Sequence, residues 1–205
     1  MEFKIENTEV FGLNKSIIAS GNAMRVVMDD NIEQYTGKDF VRACNLGTTK
    51  LGEGHDNWLN GVVVQFDLYA PLYMWKQIQR YHFMDFVSSQ STMHRLTKFN
   101  IKEQCVSDVD EVILERYQEL LDDYNDNKGM TISVDEDKKK WRTLVASLPS
   151  GFVLGATMTT NYRQLKTIYN QRKNHKLREW HEFCRWCETL PNFKELCIGD
   201  KNNEK

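Results

Sequence analysis

A change of character at Pro71 constrains the fold of this chain more than any other feature of its sequence. The residues before it, Gly61–Leu68 (GVVVQFDL), are mostly β-branched or aromatic and favour a strand. Proline cannot donate to a sheet ladder, but it fits the first turn of a helix. The sequence therefore predicts a strand that passes directly into a helix, and this helix carries Lys76, Gln77 and Arg80 on neighbouring turns.

Periodicity and chain-breaking residues predict the remaining elements. Phe3–Leu13 alternates as a strand, and residues 29–60 are typical of a loop with a short helical piece near Phe40. The other predicted elements, in chain order, are a helix over Lys15–Met28, a serine-rich loop at Ser88, Ser89 and Ser91, an amphipathic helix over Asp108–Asp126 capped by Ser107, a helix over Asp135–Leu148, a buried extended piece over Gly151–Thr160 and two final helices. We expect one helix-rich α/β domain with a small sheet over residues 1–199, followed by a disordered tail at 200–205.

Composition argues against several classes of protein. The 205 residues, of which 40% are hydrophobic and 27% charged, are enough for one sizeable core. A net charge of -2 argues against a nucleic-acid-binding protein that relies on overall basicity. No apolar run approaches about 18 residues, and the start of the chain lacks the plan of a signal peptide, so neither a membrane nor export is indicated. We expect a cytoplasmic protein.

The five cysteines form no convincing metal or disulfide pattern. Their odd number, in a chain with no export signal, favours reduced thiols. Cys184 and Cys187 form a CxxC with His181 three residues earlier, but a zinc site wants a second ligand pair and a redox site a strand-to-helix setting. The run HEFCRWCETL instead indicates an amphipathic helix with Phe183, Trp186 and both cysteines packed inward. We therefore expect no metal ion.

A second cationic stretch, Asn161–Trp180, predicts a helix long enough to serve two ends of a long ligand. Asn161 and Arg172 are eleven residues apart, so at about 100° per residue they lie nearly on one helix face, about 16 Å apart. The alternative is an ordinary surface helix, because the stretch is rich in cations and its apolar positions form a core stripe. Pattern alone leaves both interpretations open.

These two stretches resemble the marked segments of one enzyme family. The run APLYMWKQIQRYH is similar, without a gap, to the segment of the flavin-dependent thymidylate synthases (the ThyX family) that leads into their Arg-His-Arg signature, which here is Arg80-Tyr81-His82. His55 lies upstream at about the distance of a flavin-site His of the family. The second stretch resembles the family helix in which an Asn and two Arg contact flavin and nucleotide, and the matching residues are Asn161, Arg163 and Arg172. The resemblance covers roughly residues 40–185 and implies a fold of the ThyX type.

The resemblance also implies a function and a set of site residues. It implies methylation of dUMP to dTMP, with methylenetetrahydrofolate as carbon donor and reduced FAD as reductant, in a homotetramer whose sites are built from several subunits. Arg172 is then the catalytic residue, which polarises the pyrimidine. The residues expected to bind FAD are His55, Arg80, Tyr81, His82, Asn161 and Arg163. The residues expected to bind the nucleotide are Gln77, Arg80, Ser89, Ser91, Arg95 and Arg172.

The chain also departs from the family pattern. Tyr81 and His82 stand where the family has His and Arg, which reduces the fixed positive charge. Gln90 takes the position of a family Ser, and Val145 that of a family Arg, for which Arg142 is a nearby substitute. Three functions therefore stay open: a divergent thymidylate synthase, a flavoenzyme that modifies another pyrimidine nucleotide, for example by hydroxymethylation, and a non-catalytic nucleotide-binding descendant. A phage or bacterial source would suit so divergent a relative.

Overall fold

Helices outnumber strands in the computed structural model, which describes residues 1–28, 33–127 and 133–199. The strands within these ranges are β1 (Lys4–Phe11), β2 (Val63–Pro71), β3 (Asp85–Ser89) and β4 (Val153–Asn161). The α-helices are α1 (Leu13–Ala19), α2 (Gly37–Gly47), α3 (Leu72–Ile78), α4 (Thr92–Arg95), α5 (Ile101–Gln104), α6 (Glu111–Asn127), α7 (Val134–Ser147), α8 (Tyr162–Arg172) and α9 (Arg178–Thr189). The shorter turns are three 3₁₀ turns, Asn22–Met24, Asn57–Gly61 and Leu96–Lys98, and a π-helical turn, Lys194–Ile198. None of the described helices has both the length and the apolar character needed to span a membrane.

The four described strands form one sheet in the order β1-β2-β4-β3. The expected α/β fold, rich in helix and with a small sheet, is confirmed. Every strand contributes residues to both of two compact units. The first unit comprises Met1–Lys4, Leu68–Arg80 and Ser88–Ala156, and the second comprises Ile5–Asp67, Tyr81–Val87 and the residues from Thr157 onward. A single domain over residues 1–199 stays a prediction, and the disordered tail predicted at 200–205 lies outside the described residues.

The predicted change from strand to helix at Pro71 is confirmed. Pro71 ends β2 and caps α3 with φ −69°. The N–H groups of the first two residues of α3 donate to the carbonyl oxygens of Phe152 and Ser150, at 3.0 and 3.1 Å, and so find partners that a helix start lacks internally. Because α3 ends at Ile78, Arg80 lies beyond its C-terminus and not on its next turn, contrary to the prediction.

The core of the first unit lies around α6. The buried hydroxyl of Tyr117 donates to the carbonyl oxygen of Leu144 on α7 at 3.0 Å, which satisfies it. α6 begins three residues later than predicted and Ser107 does not cap it, because the carboxylate of Asp110 accepts from the Val112 N–H at 2.9 Å instead. The buried members of this core are Leu96, Ile101, Cys105, Leu114, Tyr117, Leu121, Tyr124, Leu144 and Phe152.

The core of the second unit depends on α8 and α9. β4 passes directly into α8 at Asn161, whose side-chain oxygen accepts from the Gln164 N–H at 2.9 Å. α8 buries Leu165 and Ile168, and α9 buries both cysteines of the CxxC, as predicted. All five cysteines are thiols. Among the described residues, no group of three or more His, Cys, Asp or Glu side chains is placed to hold a metal ion.

Two predictions in the first half of the chain were wrong in extent. The helix predicted over Lys15–Met28 ends at Ala19, where the Ser20 hydroxyl donates to a carbonyl oxygen of the last turn at 2.7 Å. The short helical piece predicted near Phe40, within the loop at residues 29–60, is the eleven-residue helix α2 and so is longer than predicted. Residues 29–32 of that loop lie outside the described chain. Thr36 and Asp39 form a capping box at the start of α2, which explains why a helix begins there.

The serine-rich loop was also predicted wrongly. Ser88 and Ser89 belong to β3, and only Ser91 lies beyond it, as the N-cap of α4. The pairing with β4 continues past the strand, because the Gln90 N–H donates to the Gly155 carbonyl oxygen at 2.9 Å. The Gln90 side-chain oxygen accepts from the Gly155 N–H at 2.8 Å. These bonds hold an extended backbone where the sequence predicted a turn.

Candidate functional site

The helix α8 carries the three residues marked in the second cationic stretch. Asn161 caps its N-terminus, Arg163 lies in its first turn, and Arg172 is its last residue. The predicted helix is therefore confirmed, and at about 1.5 Å of rise per residue it separates Asn161 from Arg172 by about 16 Å. The cap fixes the Asn161 amide, because its oxygen is committed to the helix N-terminus.

A polar cavity of about 410 Å³ lies along one face of α8. Four of its lining residues follow each other at helical spacing: Asn161, Gln164, Thr167 and Gln171. The other lining residues are Leu51, Gly52, Asp56, Asn60, Phe83 and Arg163. Most of these side chains carry an amide, a hydroxyl or a charge. The cavity therefore offers many hydrogen-bonding groups to a ligand of small-molecule size.

A buried carboxylate, Asp56, forms the charged wall of this cavity. Asp56 is 1% exposed and accepts from Lys166 Nζ at 2.8 Å and from Arg163 Nε at 3.1 Å. Lys166, itself 3% exposed, also donates to the Thr49 carbonyl oxygen at 2.7 Å. Burial alone would raise the pKa of the Asp56 carboxyl, but Lys166 and then Arg163 outweigh it and leave the pKa below its usual value. Asp56 is therefore an anion that holds Arg163 at the cavity.

Arg172 is held by aromatic and hydroxyl groups. Its Nε donates to the Tyr81 hydroxyl at 2.6 Å, and this hydroxyl donates to the Gln171 side-chain oxygen at 3.0 Å. The guanidinium carbon lies 4.6 Å from the ring centre of Trp180 and 5.4 Å from that of Tyr81. Such distances permit cation–π attraction to both rings. Because Gln171 also lines the cavity, this group and the cavity share one residue.

His175 completes the surroundings of Arg172. Its Nδ1 accepts from the Leu177 N–H at 3.1 Å, and its ring meets Trp180 edge-on at 6.2 Å between centres. Burial, followed by the charges of Arg172 and His181, lowers the pKa of His175. The lowered pKa favours the neutral form of His175 beside the cation.

Among the comparisons with known proteins, only the comparison with solved structures gives matches. No protein-family model matches the sequence, and no curated protein is similar to it. Two crystal structures of the flavin-dependent thymidylate synthase ThyX from Helicobacter pylori, each complexed with FAD and dUMP, do match. One has a TM-score of 0.67 at 14% identity and covers 96% of this chain and 98% of the other; the second has 0.66 at 16% identity and covers 96% and 97%. This is the ThyX fold.

The UMP/dUMP methylase PolB from Streptomyces cacaoi, crystallised with 5-Br dUMP, also has the ThyX fold of this chain. Its TM-score is 0.66 at 13% identity, with 95% of this chain and 91% of that chain covered. The fold type implied by the sequence resemblance is thus confirmed along almost the whole chain. At such low identities the likeness establishes the fold.

Within this ThyX fold, the second unit holds six of the predicted site residues. Asn161 and Arg163 line the cavity, and Tyr81 contacts Arg172. His55 and His82, the remaining two of the six, are exposed, and His55 directly precedes the buried Asp56. The first unit holds the remaining predicted residues, which are Gln77, Arg80, Ser89, Ser91 and Arg95. Arg80, Ser89 and Arg95 are exposed, and Ser91 accepts from the His94 N–H at 3.2 Å as a helix cap. Their roles stay predictions.

Sequence reasoning missed several residues that the ThyX fold brings to the site. They are Asp56, Phe83, Lys166, Gln171 and Trp180. Phe83 has a φ of 58°, which is uncommon for a large apolar residue, and is 65% exposed. One signal was available in the sequence: Lys166 follows Leu165 within the apolar stripe of α8, and a lysine there needs a buried anion as a partner.

Proposed function

We propose that this protein methylates dUMP to dTMP, with methylenetetrahydrofolate as the carbon donor and reduced FAD as the reductant. One observation carries the proposal: a single helix of a ThyX fold lines a polar cavity and ends in an arginine whose guanidinium carbon lies within 5.4 Å of two aromatic ring centres. Such an arrangement suits a flavin in the cavity and an activated pyrimidine beside the arginine.

The cavity beside α8 fits a part of FAD in its chemistry. A flavin ring presents alternating acceptors and one donor at its edge. The amide nitrogens of Asn161, Gln164 and Gln171 can donate to the acceptors, and the Gln164 oxygen can accept from the donor. Arg163 adds a cation at the cavity, and its side chain is 37% exposed. Its volume of about 410 Å³ is in the usual range for small-molecule sites, about 300–1,000 Å³.

Arg172 supplies the electrostatic activation of the pyrimidine. Methylation at C5 requires electron density at that carbon, with negative charge developing on the N3 and O4 edge of the ring. A guanidinium stays charged when partly buried and offers donors in a planar fork, so it can stabilise this charge. Reduced FAD supplies the reducing equivalents, and the folate supplies the carbon.

The resemblance assigns the remaining contacts. It assigns His55, Arg80, Tyr81 and His82, with Asn161 and Arg163, to FAD. It assigns Gln77, Arg80, Ser89, Ser91 and Arg95 to the nucleotide. An arginine suits an anionic oxygen through charge-assisted hydrogen bonds.

Release of tritium from the C5 position of dUMP, with reduced FAD and methylenetetrahydrofolate present, tests the reaction. We expect release by the parent and a loss of about 10²–10³ in rate for Arg172→Ala, which is typical when one preorganised donor is removed. Lys173→Ala, which removes the exposed cation next in the chain, is the matched control and should keep the parent's rate. A parent that binds FAD but never labilises this hydrogen refutes the proposal.

FAD binding is tested separately by titration of the purified protein. Arg80→Ala should bind FAD more weakly than the parent, because a charge-assisted contact to the pyrophosphate is lost. Lys76→Ala, which removes an exposed cation from the preceding helix, should bind as the parent does. If Arg80→Ala binds FAD as tightly as the parent, the assignment of the Arg80-Tyr81-His82 signature is wrong.

The homotetramer with shared sites is part of the same proposal. It rests on the resemblance to a family whose sites are built from several subunits. Light scattering at micromolar concentration measures the assembly directly. A monomer under these conditions would remove the shared-site arrangement and leave the site to one chain.

A second candidate reaction uses another pyrimidine nucleotide. It is favoured by the similarity to PolB, a UMP/dUMP methylase, whose TM-score is nearly that of the thymidylate synthases. Parallel assays with UMP and dUMP, followed by mass analysis of the product, separate the two substrates and separate a methyl product from a hydroxymethyl one. Turnover of UMP alone would replace dUMP in the proposal.

A further inference from the structure

The bond between Tyr81 and Arg172 joins residues 91 positions apart in the sequence. Its length of 2.6 Å is at the short end for a hydrogen bond from a charged donor. The Tyr81 hydroxyl gives its own proton to Gln171, so its oxygen faces Arg172 only as an acceptor. The direction of both bonds is therefore settled by this chain of three residues.

The ring of Trp180 provides a second contact to the same guanidinium. Trp180 is fully buried, and the guanidinium carbon of Arg172 lies 4.6 Å from its ring centre. Tyr81 and Trp180 themselves meet edge-on, with 6.1 Å between centres. A hydrogen bond to Nε and a ring beside the guanidinium plane together restrict both the position and the rotation of the group.

We infer that Tyr81 is a positioning residue that holds Arg172 in its working orientation, with Trp180 as the supporting surface. The inference rests on the proposed function, in which Arg172 activates the pyrimidine. An arginine side chain has several rotatable bonds, and a donor that must be ordered during the reaction stabilises the transition state less than one ordered beforehand. Removal of the Tyr81 hydroxyl should therefore slow the chemical step more than it weakens nucleotide binding.

The variant Tyr81→Phe removes the hydroxyl and keeps the ring. Its matched control is Tyr169→Phe on α8, which removes a hydroxyl that donates to Glu188 at 2.6 Å, a bond in which Arg172 takes no part. At saturating FAD we expect kcat for tritium release from dUMP to fall about 10- to 100-fold in Tyr81→Phe, the loss typical of one hydrogen bond to a charged group. KM for dUMP should change by no more than about twofold, since the lost contact acts in the transition state. Tyr169→Phe should keep the kcat of the parent.

A second measurement follows the Arg172 contact itself, without turnover. In ¹⁵N-labelled full-length protein, the Arg172 Nε–H resonance is identified by its absence in Arg172→Lys. We expect it to exchange slowly with water in the parent and in Tyr169→Phe. In Tyr81→Phe the exchange should be faster, because the acceptor has gone.

The outcomes separate the inference from the function on which it rests. A slow Nε–H in the parent, lost in Tyr81→Phe together with kcat, supports the positioning role. Parent-like kcat and Nε–H exchange in Tyr81→Phe overturn the positioning role and leave the proposed reaction standing. A parent that releases no tritium overturns the proposed reaction and the positioning role with it. A change in KM or FAD affinity alone, with kcat intact, assigns Tyr81 to binding and also overturns the role.

Discussion

Replacement of the buried Asp56 by asparagine should destabilise the protein strongly. The substitution keeps the shape of the side chain and removes its charge, so it creates no cavity. It leaves Lys166, which is 3% exposed, with its ammonium group opposite a neutral amide. An ammonium buried without an anion is costly, since its hydration has been lost and its Coulomb partner removed.

The magnitude follows from the burial of each partner. Loss of one member of a buried ion pair typically costs about 3–5 kcal/mol, which applies to Asp56→Asn and to Lys166→Met. Arg163→Met removes a cation that is 37% exposed, so solvent screening limits its cost to about 1 kcal/mol or less. At about 2–4 °C per kcal/mol for a chain of this size, Asp56→Asn should lower Tm by about 6–20 °C.

Urea and thermal unfolding of four single variants and one double variant provide the test. Lys140→Met, which breaks an exposed pair with Asp123, is the control and should cost less than about 1 kcal/mol. The double variant Asp56→Asn/Lys166→Met should lose less than the sum of the single losses, because no charge is then left buried alone. Because the pKa of Asp56 is lowered, its contribution is complete above its usual value of 3.8 and is lost as pH falls through the lowered pKa. A loss below 1 kcal/mol for Asp56→Asn, or strict additivity in the double variant, would refute the argument.

Three further predictions concern other residues. The pKa of His175 is lowered, so the unfolded chain binds the proton of this residue more readily than the folded chain does. The free energy of unfolding should therefore fall as pH drops through 6.5. Urea unfolding above and below that pH should show a smaller change in this free energy for His175→Gln than for the parent. Burial raises the pKa of the Cys184 thiol to about 11 and that of the Cys187 thiol well above its usual value. A thiol reagent at mildly alkaline pH should therefore label the partly exposed Cys44 first, and Cys184 and Cys187 only after denaturation. Early labelling of the CxxC pair would contradict this. Gly47→Ala should lower Tm, because an added Cβ meets a backbone carbonyl oxygen of the π-helical turn that cannot give way cheaply; an unchanged Tm would show that this turn moves.

The parts of the fold that were predicted correctly depend on local chemistry. The ring of Pro71 fixes φ and removes a backbone donor, so this residue ends a strand and starts a helix. The apolar stripe of Leu165 and Ile168 predicts the helix that contains it. α2 was underestimated because glycines surround it, although Thr36 and Asp39 already formed a recognisable capping box in the sequence. Local signals of this kind act within one turn of the chain.

The site was less accessible from the sequence, since its contacts join distant segments. Asp56 and Lys166 are 110 positions apart, and Tyr81 and Arg172 are 91 apart, so no local pattern reports either pair. The resemblance marked Tyr81, Arg163 and Arg172 one by one, yet it did not pair them with their partners. Only the packing of α8 against the turn before β2 and against Tyr81 brings these groups together.

The position of Arg172 as the last residue of α8 makes this part of the chain intolerant of insertions and deletions. One added residue between Asn161 and Arg172 would rotate the arginine about the helix axis by about 100° and shift it by about 1.5 Å, away from both Tyr81 and Trp180. A substitution that keeps the helix intact leaves the arginine at the same angle and height, whatever its effect on stability. Any relative that uses both ends of α8 in the same way should therefore keep ten residues between them, whatever their identity, and this count is a criterion for aligning sequences too divergent to be aligned by residue type.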